Sequence, residues 1–387
     1  MKEANAVGSK KILYILNIAK KVNNFSYTAM MAAQAEGMEF HIAGNWSYAS
    51  DEERTADEER YGIKIHQIDF IRAPYHPGNR RAYAQLKVLV QKEKYDVIHC
   101  NTPIGGVLGR IVGKRCNIAP VIYQAHGFHF YKGAPLLNWL LYYPIERLLA
   151  RWTDTLVTIN REDEIAAKKL KLRGNGKTYY VSGVGIDVAQ YVPDETVRLQ
   201  KRQELGLKAD DIMLISMGDL IPRKNYGAAI RAIAKANDPR LQYMICGRGP
   251  EQENLQALAK ELGAEKQIHF LGFRTDVKEL LTGADIFLFT TRQEGLPRSM
   301  MEAMASGLPC VASAIRGNVD LIENEVNGYT CATDDVDGYA AAIEKIVADP
   351  ELRQTMGQNN LEKIKQYDIS VVEKEIRDIY AEVLKKV

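Results

Sequence analysis

Short β-rich apolar runs alternate with helical periodicity along almost the whole chain. Runs at 12–17, 39–43, 96–100, 121–125, 155–159 and 178–181 predict strands, and the stretches 27–36, 104–115 and 161–172 between them predict helices. The pattern breaks at Gly183 and Gly185, and Pro193 and Asp194 then precede a charged helix predicted over 197–205. A second series follows, with strands predicted at 212–217, 241–246, 268–271, 286–289, 309–312 and 328–331, and long helical segments end the chain. Such alternation demands crossover connections and parallel sheets covered on both faces. The expected fold class is α/β: two doubly wound Rossmann-like domains facing each other across a cleft, with ligands at the carboxyl ends of the strands. The expected boundaries are 1–188 for the N-terminal domain, 189–369 for the C-terminal domain, and 370–387 for a last helix that crosses back to the first domain.

Composition narrows the function classes. The 387 residues are 46% hydrophobic and 26% charged, as in an ordinary globular protein. A net charge of only +2 argues against a dedicated nucleic-acid binder but leaves room for a local basic patch facing an anionic membrane. Cys100, Cys116, Cys246, Cys310 and Cys331 are odd in number and contain no C-x-x-C pair, so neither a disulfide scaffold nor a zinc site is expected. Lys10 and Lys11 precede an apolar run too short for a secretory signal, and no stretch is long and apolar enough to span a bilayer. The expectation is a cytoplasmic location, with peripheral contact at the inner membrane face left open.

The most informative stretch, at 287–313, reads FLFTTRQEGLPRSMMEAMASGLPCVAS. A buried strand leads into a loop of Glu294, Gly295, Leu296 and Pro297, and a helix is predicted from about Arg298 until Gly307 stops it. Backbone N–H groups at Arg298, Ser299 and Met300 suit an anion such as a diphosphate. Two carboxylates beside such a site, Glu294 and Glu302, make electrostatic sense as acceptors from neutral hydroxyls. Another strand ends at Gly218, and the loop beyond it offers Arg223 and Lys224 to a leaving diphosphate. Gly247, in the turn CGRGP, permits close backbone approach, and Gly272, Phe273 and Arg274 follow the next strand. His126 ends the strand at 121–125 and is followed by Gly127.

Glu294 through Glu302 match an E-x7-E pattern. With the continuation EAMASGLPCVAS, the chain resembles the family-4 glycosyltransferases of the GT-B architecture. AHGFHFYKGAPL and TDTLVTINRED resemble the bacterial capsule and exopolysaccharide members, and the likeness runs from about Lys11 to Leu384. The resemblance implies an acceptor-binding N-terminal domain and a C-terminal domain holding a nucleotide-sugar donor, with UDP the expected nucleotide. It implies catalytic-site roles for His126, Lys224 and Glu294. The implied donor-binding set is Gly218, Arg223, Lys224, Gly247, Gly272, Phe273, Arg274, Glu294, Gly295, Leu296, Pro297, Arg298, Ser299 and Glu302. Within it, Lys224 meets the diphosphate, Glu294 the sugar hydroxyls, Glu302 the ribose, and the backbone at 271–274 the base. Two departures stand out: Asp219 replaces the Arg that many members carry after the glycine, and the loop at 17–25 lacks the usual Gly-Gly.

The implied activity is retaining transfer of a hexose-type sugar to a hydroxyl of a glycan or lipid-linked saccharide, in capsule, exopolysaccharide or cell-envelope synthesis. No cofactor is expected, and no metal, since no Asp-x-Asp triplet follows a strand. A nucleotide-sugar 2-epimerase on the same architecture is the alternative. A dinucleotide oxidoreductase fits poorly, because no glycine follows the first strand until Gly37. The apolar segment 136–152 reads as a buried helix, with membrane contact the other reading. Arg72, His76, Arg80, Arg81 and Lys87 form a basic stretch that either faces a lipid-linked diphosphate or is simply solvated.

Overall fold

A computed structural model describes residues 9–22 and 24–387, apart from the side chain of Asn24. The first eight residues of the expected N-terminal domain and Asn23 of the loop at 17–25 lie outside the described residues. The chain divides into two compact units, Met1–Gly185 with Ile369–Val387, and Ile186–Asp368. The division falls three residues before the expected boundary at 188 because Ile186 already pairs with the end of the second unit, its N–H donating to Tyr367 O at 3.0 Å. Gly185, at φ +79°, lies against Ile369, where an added Cβ would come within 2.9 Å of the Ile369 Cα.

The first unit holds a seven-stranded sheet: β1 (Lys11–Ile18), β2 (Glu39–Asn45), β3 (Lys64–Gln67), β4 (Val97–Asn101), β5 (Val121–Ala125), β6 (Thr155–Thr158) and β7 (Lys177–Tyr180). The order is β3-β2-β1-β4-β5-β6-β7, and every pair is parallel. Continuous apolar runs such as ILYIL in β1 are what a strand covered on both faces requires. The expected helix at 161–172 is shorter, Arg161–Ala167, and its continuation turns so that Leu170 and Leu172 reach the core. The last helix, Ile369–Leu384, belongs to this unit. Tyr380 Oη lies 2.6 Å from His99 Nδ1, and Glu375 accepts from the Ser182 N–H at 2.7 Å and its hydroxyl at 3.0 Å.

The second unit holds β8 (Ile212–Met217), β9 (Leu241–Cys246), β10 (Ile268–Gly272), β11 (Ile286–Phe289), β12 (Cys310–Ser313) and β13 (Gly328–Cys331), in the all-parallel order β10-β9-β8-β11-β12-β13. Ile230, Ile233, Tyr339 and Ile343 pack from helices on one face, and Met300, Met304 and Ile364 on the other. In each sheet the strand order reverses once, between β1 and β4 and between β8 and β11. At such a reversal the loops part and leave room for a ligand.

The helix Leu136–Ala150 corrects the sequence reading of a buried element: only Leu149 and Ala150 are buried, because the unit covers one of its faces and none of the described residues covers the other. Among the described residues, no helix is long and apolar enough to cross a membrane.

Candidate active site

In the second unit, β8, β9 and β10 end side by side in Gly218, Gly247 and Gly272. The Gly218 N–H donates to Cys246 O at 2.9 Å and the Gly247 N–H to Gly272 O at 2.8 Å. A Cβ on Gly247 would stand 1.9 Å from Gly218 O, so only glycine lets these backbones lie this close. A Cβ on Gly218 would stand 3.1 Å from Lys224 Cε, so Gly218 is the floor over which the Lys224 stem passes.

Lys224 closes the short 3-10 turn Pro222–Lys224 beyond β8, and Glu294 lies in the loop beyond β11. Glu294 Oε1 accepts from Lys224 Nζ at 2.8 Å, Arg223 Nη1 at 2.9 Å and Thr291 Oγ1 at 3.0 Å. All three bonds converge on one oxygen, which leaves Oε2 to accept from elsewhere. Lys224 also sits 4.9 Å from the centre of the Phe289 ring. The loop is held from below: Arg316, 5% exposed, donates from Nε to Glu294 O at 3.0 Å, and a Cβ on Gly317 would meet Gly295 O at 2.3 Å.

Pro297 takes the N-cap position, and the helix Arg298–Ala305 begins directly after it. No side chain caps this end, so the first-turn N–H groups, Ser299 and Met300 among them, keep their capacity for an anion. Arg298 Nε donates to Glu302 Oε1 at 2.9 Å, and the Tyr191 hydroxyl lies within electrostatic reach of both. Burial, and then the Glu302 charge, push the Tyr191 hydroxyl up to about 12. The structure therefore gathers Gly218, Arg223, Lys224 and Glu294 in one cluster, and Arg298 and Glu302 in a second. Phe273 is 69% exposed. The Arg274 side chain joins carboxylates away from Glu294, its Nε bonded to Asp276 at 2.7 Å and Nη2 to Glu204 at 3.0 Å. Thr291, Arg316, Gly317 and Tyr191 escaped the sequence reading. An isolated Arg-Gly pair after β12 carries no signal until the fold sets it beneath the Glu294 loop.

His126 lies in the first unit, beyond the end of β5. Its Nε2–H donates to Asn101 Oδ1 at 3.0 Å, and Phe25 packs edge-on with ring centroids 5.2 Å apart. Nδ1 is buried with no partner, and burial lowers the imidazole pKa to about 4. The ring is thus neutral at neutral pH and offers a lone pair at Nδ1. It forms part of the wall of an apolar cavity of about 320 Å³ together with Ile104, Val107 and Phe128. At the end of β1, Asn17 Oδ1 accepts from the Gly105 N–H at 2.8 Å, so this polar residue in the altered loop serves the first turn of the helix Pro103–Arg115. In the basic stretch, Arg81 pairs with Asp69 at 3.0 Å, while Arg72, His76 and Arg80 are exposed. No group of three or more His, Cys, Asp or Glu side chains among the described residues is arranged to hold a metal ion.

The profile of the family described as Glycosyl transferases group 1 matches residues 197–363, and that described as Glycosyl transferase 4-like matches residues 11–160. EpsD of Bacillus subtilis, assigned as a glycosyltransferase, is 34% identical over 96% of this chain and 97% of its own length. The UDP-Gal:alpha-D-GlcNAc-diphosphoundecaprenol alpha-1,3-galactosyltransferase of Escherichia coli is 29% identical over 79% of this chain and 80% of its own. Among solved structures, Anabaena HepE in complex with UDP-glucose matches with a TM-score of 0.78 at 21% identity, covering 96% of this chain and 99% of its own. WaaG, a glycosyltransferase involved in lipopolysaccharide biosynthesis, matches with a TM-score of 0.71 at 19% identity, covering 95% and 99%. At such identities, the structural matches speak for a shared fold.

Proposed function

The chain belongs to the family-4 glycosyltransferases of the GT-B architecture, and from that premise we propose that it moves a hexose-type sugar, with retention, from a UDP-sugar to a glycan or lipid-linked saccharide. The proposal extends to a metal-independent, cofactor-free reaction in capsule, exopolysaccharide or cell-envelope synthesis, carried out at the cytoplasmic face of the membrane. The observation that carries it is the meeting of Lys224, Arg223 and Glu294 at the β8/β11 reversal, beside an uncapped helix N-terminus. The names of two similar proteins support the donor and acceptor classes: HepE binds UDP and UDP-glucose, and the Escherichia coli enzyme uses UDP-Gal with a diphosphoundecaprenol-linked sugar.

In this reading, the bond between the anomeric carbon and the diphosphate breaks as the acceptor oxygen bonds to the same face of that carbon. The acceptor proton passes to an oxygen of the departing phosphate. Lys224 has three N–H donors and gives one to Glu294, so others remain for phosphate oxygens. Arg223 and the first-turn N–H groups at Arg298–Met300 add to this stabilisation of the leaving charge. Glu294 Oε2 accepts from a sugar hydroxyl and Glu302 from the ribose, while neutral His126 keeps an acceptor lone pair at Nδ1 in the first unit.

Calorimetry with a series of uridine and guanosine diphosphate sugars, with and without a chelator, tests the proposal. Saturable binding of a UDP-sugar that survives chelation is expected, with the donor unchanged when no acceptor is present. Donor isomerised in the absence of acceptor would instead reveal the 2-epimerase, which has no support among these relatives.

A further inference from the structure

Resting on the reading of a membrane-peripheral enzyme with a lipid-linked acceptor, we propose that the helix Leu136–Ala150 is the surface by which the first unit lies on an anionic bilayer. Its apolar stripe enters the acyl boundary and its flanking cations meet the headgroups.

The helix has two faces that differ in chemistry. At helical spacing, Trp139, Tyr142, Tyr143, Glu146, Leu149 and Ala150 share the inner side. Trp139 packs tilted and Tyr143 edge-on against Phe130, with centroids at 5.5 and 5.3 Å, and Tyr142 packs on His129 at 4.5 Å. Glu146 takes a bidentate bond from buried Arg110 at 2.7 and 3.0 Å. On the outer side lie Leu137, Leu140, Leu141, Pro144 and Leu148, while Ile145 turns toward the cavity beside His126. The four leucines are each 38–64% exposed. Isolated exposed leucines are ordinary, but a continuous stripe along four turns of one helix is not.

Charge selects the occupant. Glu146 is the only acid in the helix, and it is turned inward onto Arg110. Arg147 follows Leu140 by seven residues and Arg151 follows Pro144 by seven, so both exposed cations flank the stripe on one side. Exposed Lys132 precedes the helix. The outer surface is therefore apolar and cationic with no anion, which suits an acidic leaflet. A second copy would present the same cations to its mate, so self-association through this face is disfavoured.

Flotation of the full chain with vesicles of phosphatidylglycerol and phosphatidylcholine, against phosphatidylcholine alone, provides the test. The wild-type protein should float with the anionic vesicles. The Leu137→Asp/Leu140→Asp pair should lower partitioning about tenfold or more, since two apolar insertions are lost. Arg147→Glu/Arg151→Glu should erase the preference for the anionic lipid. Melting curves establish that the variants fold, and Leu148→Asp, at the far end of the stripe, is the independent second variant. Unchanged flotation of both Asp variants would overturn the proposal. So would a wild-type dimer in sedimentation equilibrium that Leu140→Asp disperses while vesicles bind nothing. Donor calorimetry on the same preparations separates the two readings. Donor binding without vesicle binding removes this surface alone, whereas vesicle binding without donor binding supports the surface and removes the transferase reading.

Discussion

Lys224 Nζ lies 2.8 Å from Glu294 Oε1, so the cation beyond β8 and the carboxylate beyond β11 clasp each other where the strand order of the second unit reverses. Both side chains are mostly shielded, at 13% and 14% exposure, which preserves the strength of their fields. Each holds the other in position and each is proposed to meet a different part of the donor. Lys224→Ala and Glu294→Ala should therefore each lower kcat about 10²–10³-fold with the fold intact, the range for loss of one preorganised charge-stabilising contact. Because the two touch, the double variant should lose less than the product of the single losses. Steady-state kinetics with a UDP-sugar measures this; near-normal turnover of Lys224→Ala would remove the phosphate role assigned to it.

Glu302 is reached differently. Arg298 donates to it at 2.9 Å with the Tyr191 hydroxyl nearby, so its carboxylate is aimed before any ribose arrives. Tyr191→Phe removes the hydroxyl and leaves the packing. The expected result is a KM for the donor raised several-fold with kcat little changed, the pattern of weakened ground-state binding. A fall in kcat at constant KM would contradict the positioning role.

Gly247 and Gly218 separate fold from chemistry. Gly247, at φ +156°, would place a Cβ 1.9 Å from the Gly218 carbonyl, which cannot move without disturbing the end of β8. Gly247→Ala should destabilise the second unit by about 3 kcal/mol or more. Gly218, at φ +145°, would press chiefly on the flexible Lys224 stem at 3.1 Å. Gly218→Ala should be the milder lesion in chemical denaturation and the one that shows mainly in kcat. The reverse ranking in stability would mean that the contact is relieved by backbone shifts.

The parts legible in the sequence are those whose physics is local. β5, β8, β9, β11 and β13 fall on the predicted residues because each is an apolar run bounded by turn residues. β3 was missed: KIHQ is a four-residue edge strand with no buried position, and only its register with β2 makes it a strand. The helix Asp51–Tyr61 has no buried residue to create a periodicity, although Ser50 and Glu53 form a capping box that the sequence displays. Glu294, Lys224 and Glu302 were legible because a strand, a turn and a helix start define their surroundings. Arg316 and Tyr191 were not, because each acts across tens of residues of chain. The helix Leu136–Ala150 was misread because an apolar composition says how much surface wants cover and not what provides it.

Arg110 is 1% exposed, bonded at both Nη atoms to Glu146 and stacked 3.8 Å from the centre of the Tyr123 ring. A buried guanidinium deprived of its carboxylate retains its desolvation penalty with little left to offset it. Glu146→Gln should therefore destabilise the first unit by about 3–5 kcal/mol, while Arg110→Met/Glu146→Leu recovers most of the loss. Thermal denaturation of the three proteins decides it. A double variant no better than Glu146→Gln would show that the pair has a role beyond neutralising charge.

Acid should act on the first unit through its histidines. Burial lowers His126 to about 4 and His99 to about 3, against 6.5 for an ordinary imidazole. Below pH 6.5 the unfolded chain takes up a proton at each site that the folded chain refuses, so stability falls as pH drops. For His126 the loss runs from about pH 6.5 down to about 4, at about 1.4 kcal/mol per pH unit, and is complete below the folded-state value. His126→Gln carries no such proton and can still donate to Asn101 Oδ1 from its amide. It should flatten the dependence of unfolding free energy on pH by about that slope between pH 4.5 and 6, with no change above pH 7.5. Denaturant titrations across this range measure both. A slope identical to that of the wild-type protein would show that burial does not depress the imidazole of His126 in the folded chain.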